Sequence, residues 1–188
     1  MKITKTKIQG LKIIKLKKNN DSRGNLVEFY RKNKIKGKNL IFDYKVLSKK
    51  NVLRGFHFQF KYQQVKYISV MKGKILDCVI DLRKKSKTFG KTFKIILSEK
   101  NALSLYVPDG FAHSYLTLGN ENIIYYKLSN YYQPKFESGI IWHDKTLNIN
   151  WPVKKPLISS KDKKLPSLKD FKKNLAISSL LIILIILE

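Results

Sequence analysis

Three histidines are available for proton transfer or metal binding: His57, His113 and His143. A lone histidine is more often a structural or surface residue, so its context has to raise its standing. His57 lies in Val52-Leu53-Arg54-Gly55-Phe56-His57-Phe58-Gln59. In a strand, Gly55, His57 and Gln59 share one face and Arg54, Phe56 and Phe58 the other. Polar His57 and Gln59 beside large aromatics mark a polar inward face, which in a β-barrel lines a pocket. His113 follows Pro108-Asp109-Gly110-Phe111-Ala112, directly after a turn and before a β run, so it can face the same pocket. A metal site is not expected. Two residues after His57 stands Gln59, no glutamate follows closely, and a neutral amide is a poor transition-metal ligand beside imidazole and carboxylate. Without a metal, a histidine pocket suits proton transfer. Imidazole is the natural base near neutral pH, a carboxylate can fix its tautomer, and a cation can stabilise the charge left on a carbon acid. Lys66, Tyr126 and Asp162 are candidates for these parts. Spacing alone leaves Tyr126 open as a core aromatic and Lys66 as a solvated edge lysine.

The elements that must carry these residues repeat with period two. Leu26–Tyr30, Val65–Met71, Ile75–Leu82, Thr92–Leu97, Leu103–Val107, Ser114–Leu118 and Ile123–Leu128 are short runs rich in β-branched and aromatic residues. Lys72–Gly73 between two of them predicts a tight hairpin, and Pro108–Gly110 and Gly119–Asn120 predict further turns. Many short strands at near-regular spacing predict an all-β chain, an antiparallel barrel or sandwich with little helix. Ser167–Asn174 is the best helical stretch. One domain over residues 1–174 is expected, followed by an apolar tail, 175–188, whose run Leu175–Leu187 carries no charge. Thirteen residues fall short of the about 20 needed to span a bilayer core. A strand or helix lying on the domain, an unusual reading-frame end and a membrane anchor all remain open for it.

Composition narrows the function classes. The chain has 188 residues and a formal charge of +26. The charge raises the possibility of a nucleic-acid partner, but it comes from 35 lysines and only 4 arginines, spread along the whole chain. Bidentate phosphate and base-edge recognition recruits arginine, so a specific nucleic-acid site is not expected. The single cysteine, Cys78, allows no intrachain disulfide, and the lysine-interrupted N-terminus has no apolar signal-peptide core. Both point to a cytoplasmic protein.

Several segments together resemble the dTDP-4-dehydrorhamnose 3,5-epimerase family, the RmlC-like cupins. They run collinearly from about Ile13 to Leu168: Asp21-Ser22-Arg23-Gly24 with Glu28; Val52 to Gln59; Gln64-Val65-Lys66; Asp81-Leu82-Arg83-Lys84 through Thr88-Phe89-Gly90; Val107 to His113; Tyr126-Lys127 with Tyr131-Tyr132; Ile149-Asn150-Trp151-Pro152; and Leu157 to Asp162. Each is weak alone, and eight in order are specific.

The resemblance implies a jelly-roll barrel and a cofactor-independent epimerase of a dTDP-linked 4-keto-6-deoxy sugar. His57 matches the family's base, Asp162 its dyad partner, Tyr126 the acid and Lys66 the group at the developing oxyanion. Arg23, Glu28, Arg54, Gln59, His113, Glu137 and Lys161 match substrate-holding positions, and Tyr132 the aromatic that stacks on the nucleotide base. It also implies a homodimer in which a segment such as Arg23–Glu28 reaches the partner's site. One departure stands out: Phe42-Asp43-Tyr44 replaces a Gln-Asp-Asn segment common in the family, which leaves the nucleotide and exact sugar open. Phe56 and Phe58 replace the usual Leu and Tyr. A relative inverting only C3 or only C5, a 3,4-ketoisomerase and a non-catalytic sugar-nucleotide-binding cupin are the alternatives. A binding module would have no need of His57, Lys66, Tyr126 and Asp162 together.

Overall fold

The computed structural model describes residues 1–173, and the tail from 175 lies outside them. Within this range the chain is built of antiparallel strands. One sheet has six: β1 (Lys2–Lys5), β2 (Lys12–Lys15), β10 (Leu103–Val107), β7 (Lys66–Lys72), β12 (Glu121–Leu128) and β5 (Phe42–Lys49), in that spatial order. The other has five, in the order β13 (Glu137–Gly139), β6 (Leu53–Gln59), β11 (Phe111–Thr117), β8 (Lys74–Asp81) and β9 (Thr92–Ser98). β3 (Lys17–Asp21) and β4 (Gly24–Glu28) form a separate exposed hairpin. Residues 168–173 are helical, capped by the Ser167 hydroxyl, which accepts from the Asp170 amide at 3.1 Å. Asn174, the expected helix end, falls outside the described residues. None of the described helices is long and apolar enough to cross a membrane.

The strand runs expected from period two are present with shifted ends, but the Lys72–Gly73 hairpin is not. β7 pairs with β10 and β12, and β8 pairs with β9 and β11, so this turn carries the chain from one sheet to the other. The turns at Pro108–Gly110 and Gly119–Asn120 do the same. From β5 to β13 successive strands thus alternate between the sheets, except β8 and β9, which pair with each other; crossing between sheets is how a jelly roll buries both inner faces. A Cβ on Gly73 would lie 2.3 Å from the Glu121 carbonyl oxygen, and its φ is +84°, so the corner admits only glycine without strain.

Apolar side chains form three layers. Between the sheets lie Ile68, Val70, Ile75, Val79, Leu97, Leu105, Phe111 and Ile124. The outer face of the six-stranded sheet is covered by Ile35, with Phe29, Tyr30 and Leu40 packed alongside. The outer face of the five-stranded sheet is covered by Ile140, Leu147, Trp151 and Leu168. This double cover explains why all seven residues of β11 are buried. The wrap is fastened by an amide of β6, that of Leu53, which donates to the Leu157 carbonyl at 2.9 Å. That bond pins the C-terminal segment beside β6 and delivers Asp162 to it.

Candidate active site

β6 breaks strict alternation. His57 pairs with His113 and Arg54 with Tyr115, so three residues of β6 span what two span on β11. The extra residue is a β-bulge. It corrects the simple expectation that Arg54 faces away from His57, because both line the same cavities. Gly55 sits in the bulge at φ +107°, where a Cβ would meet the His113 carbonyl oxygen at 2.4 Å. Phe56, on the outer side, is fully buried against Trp151.

His57 stands between two adjoining cavities of about 460 and 270 Å³. In the larger, its Nε2 lies 2.8 Å from Asp162 Oδ1, while Asp162 Oδ2 accepts the Gly55 amide at 3.1 Å. Burial pushes the Asp162 pKa up, but the bond and charge of His57, the Gly55 amide and the Ser159 hydroxyl outweigh it and hold it below the ordinary value. An ionised Asp162 accepts from Nε2–H, which leaves Nδ1 as the basic nitrogen. Nδ1 lies 3.9 Å from Glu137 Oε1.

The smaller cavity is lined by His57, Lys66, His113 and Tyr126, with Tyr44, Gln64 and Tyr115. Lys66 extends from β7 and donates to the His57 carbonyl at 3.2 Å. Burial lowers its pKa to about 8, against the opposing pull of Glu137 and Asp77. Tyr126, on β12, is 4% exposed, and burial raises its phenol well above the ordinary value. It therefore stays protonated at neutral pH. Tyr126 packs edge-on to His113 at 5.9 Å and stacks on Tyr44 at 5.1 Å. Such aromatic contacts contribute about 0.5–1.5 kcal/mol each beyond their buried area.

At the rim, the Tyr132 hydroxyl donates to Glu137 Oε2 at 2.7 Å, and Lys161 pairs with the same oxygen. These residues and Arg54 line the larger cavity. Two expected contacts are placed differently. Gln59 lines neither cavity: its amide donates to the carbonyls of Tyr62 and Tyr131 and accepts the Gln133 amide, so it ties down the loop carrying Tyr132. His113 does line the inner cavity, but its Nε2 is engaged by buried Asp77 at 2.8 Å. Arg23 and Glu28 are not at this site within their own chain; they pair with Asp21 and Arg31 on and beside the exposed hairpin.

Sequence reasoning missed Asp77 and Tyr115, and it marked Tyr44 only as part of the departing Phe42-Asp43-Tyr44 segment, without a place beside Tyr126. Asp77 left a signal, an acid on the inward face of the apolar run Ile75-Leu76-Asp77-Cys78-Val79. It is fully buried, which in an apolar strand demands a partner. Among the described residues no three His, Cys, Asp or Glu side chains converge to hold a metal ion.

Comparison with known proteins gives this geometry its context. The family model described as dTDP-4-dehydrorhamnose 3,5-epimerase matches residues 5–170. The chain belongs to the dTDP-4-dehydrorhamnose 3,5-epimerase family. It is 39% identical over 168 residues to that epimerase from Shigella flexneri, covering 86% of this chain and 93% of the relative. The Bacillus anthracis enzyme, solved with TDP and PPi, superposes with a TM-score of 0.86 at 38% identity, over 89% of this chain and 99% of that one. The Legionella pneumophila enzyme, solved with dTDP-4-keto-L-rhamnose, gives a TM-score of 0.86 at 34% identity, over 89% of this chain and 93% of that one. The family's cupin fold is the one described above, and its members are isomerases.

Lys66 yields a prediction of its own. If its ammonium faces the oxyanion, kcat/KM should fall as pH rises through about 8. The stability effect has the opposite sign. Lys66 holds its proton less tightly folded than unfolded, so it penalises folding below about pH 8, and the penalty fades towards the ordinary value of 10.5. Lys66→Met should be nearly inactive yet melt about 2 °C or more above wild type at pH 7. Thermal unfolding at pH 7 and pH 10 checks whether that gap closes.

Proposed function

We propose that this protein inverts C3 and C5 of dTDP-4-dehydro-6-deoxy-D-glucose, giving dTDP-4-dehydro-L-rhamnose, as its family does. The observation that carries this reading is one cavity holding a carboxylate-oriented His57, a protonated Tyr126 and Lys66. The substrate's C4 ketone acidifies the protons on C3 and C5. His57 Nδ1 removes one, the electron pair moves into an enolate, and the Lys66 ammonium stabilises the oxygen. Tyr126 then delivers its proton to the opposite face. This leaves His57 protonated and Tyr126 as phenolate, so both exchange with solvent before the second centre reacts. Burial drives Tyr126 to recover its proton. Incubation in D₂O should place deuterium at both carbons with inversion at both. Deuterium and inversion at one carbon alone would make it a mono-epimerase.

Tyr132, nearly half exposed at the rim, serves as the stacking platform for the nucleotide base, with Arg54 and Lys161 facing the diphosphate. The working unit is a homodimer in which the hairpin of β3 and β4 carries Arg23 and Glu28 into the partner's cavity. Its exposure supports that role. Co-expressing His57→Ala and Arg23→Ala chains tests it. Each variant alone should be nearly dead, whereas random pairing should restore about a quarter of wild-type activity, since half the dimers hold one intact site. An active Arg23→Ala chain would place Arg23 outside the chemistry, and no recovery from two dead chains would remove it from the partner's site. The buried, unpaired Cys78 supports a cytoplasmic setting. Residues 1–174 are the catalytic domain, and deletion of 175–188 should leave activity intact.

A further inference from the structure

Tyr44 lies on β5, the edge strand of the six-stranded sheet, and the register sets it directly opposite Tyr126 on β12. The two rings are nearly parallel, 21° apart, with centroids at 5.1 Å. On another side, Tyr126 meets the edge of His113 at 5.9 Å and 73°. Those two neighbours are held very differently. His113 is locked by its bond to fully buried Asp77. Tyr44 is 40% exposed, and among the described residues its hydroxyl makes no hydrogen bond. Its ring is steadied by Phe42 at 5.6 Å, which in turn contacts Tyr131 at 5.7 Å. Among the described residues no hydrogen bond holds the Tyr126 hydroxyl either, so packing of its ring is what aims it.

We infer that Tyr44 is a positioning residue for the reaction: its ring, not its hydroxyl, holds Tyr126 at the angle from which the phenol reaches the enolate. This rests on the functional reading above and adds to it the residue that aims the acid. Tyr44 covers Tyr126 on the sheet's open edge. Without that cover, the phenol can tilt toward solvent while the base, the dyad and Lys66 stay in place. A displacement of about 1 Å in a catalytic group can cost about a hundredfold in rate. The loss should therefore fall on protonation and spare deprotonation.

The test follows deuterium uptake and inversion separately, on the sugar nucleotide in D₂O. Tyr44→Ala should exchange the C3 and C5 protons at close to the wild-type rate but invert them at least about tenfold more slowly, with deuterium accumulating in unreacted configuration. Tyr44→Phe, which keeps the ring, should restore the wild-type ratio of inversion to exchange. Tyr44→Leu should resemble Tyr44→Ala; it retains apolar bulk at the sheet edge and keeps the test decisive if the alanine variant does not fold. A wild-type ratio in Tyr44→Leu would overturn the inference, as would a Tyr44→Phe variant as impaired as Tyr44→Leu, because that would assign the role to the hydroxyl. Either result leaves the functional reading intact when the wild type itself inverts the sugar. A wild type that neither exchanges nor inverts overturns that reading, and the inference with it.

Discussion

His57→Ala is expected to stop deuterium uptake at both C3 and C5, because no enolate forms once the base is gone. General acid–base groups typically contribute about 10²–10⁴-fold each, and in the mechanism proposed above one base serves both centres. Asp162→Asn should fall between His57→Ala and wild type. Asp162 accepts from His57 Nε2 and from the Gly55 amide at the same time. An asparagine has one carbonyl oxygen to offer, so it cannot serve both donors. If its amide NH₂ turns to His57, the imidazole proton moves to Nδ1 and the basic lone pair is lost. If it turns to Gly55, a buried amide meets a donor. Either way the ring remains and part of the rate survives. Single-turnover exchange in D₂O, read at each carbon by NMR, measures the three rates on one scale. A loss below about tenfold in His57→Ala would remove it from the role of base.

Tyr126→Phe should separate two events that the wild type couples. The phenyl ring keeps the contacts with His113 and Tyr44, so the fold is preserved and only the donor on the far face is missing. His57 and Lys66 still generate the enolate, and His57 returns solvent deuterium to the face it came from. The expected product is the starting sugar, deuterated at C3 or C5 with configuration retained, and inversion lowered by about 10²-fold or more. Since the Tyr126 phenol titrates well above the ordinary value, the wild-type inversion rate should show no loss from its ionisation between pH 6 and 9. Inversion of both centres at near wild-type rate by Tyr126→Phe would mean that water or another side chain is the acid. The nearby phenols of Tyr44 and Tyr115, which line the same cavity, would then be the first to replace.

Local pattern alone determined that the chain is a run of short antiparallel strands. Period-two burial is a property of each strand by itself, and in β12 it is fully regular from Glu121 to Leu128. The residue types around His57, without any neighbour in space, lacked the familiar histidine–glutamate metal set and favoured proton transfer. The order of motifs resembling the epimerases named the chemistry. Which strands pair was decided only by tertiary structure. Lys72–Gly73 has the composition of a hairpin turn but crosses between sheets, because partner choice depends on which faces must be buried together and not on the turn's residues. The side of β6 that Arg54 occupies was settled by a bulge, which one strand's sequence does not reveal. Gln59 and His113 carried the right polarity for substrate contact, yet folding brought each a protein partner, the 131–133 backbone for one and Asp77 for the other. Asp77, 36 residues before His113 in the chain, and Tyr44, 82 residues before Tyr126, reach the site only through strand register. Contacts between residues so far apart leave no spacing in the sequence from which they could be read.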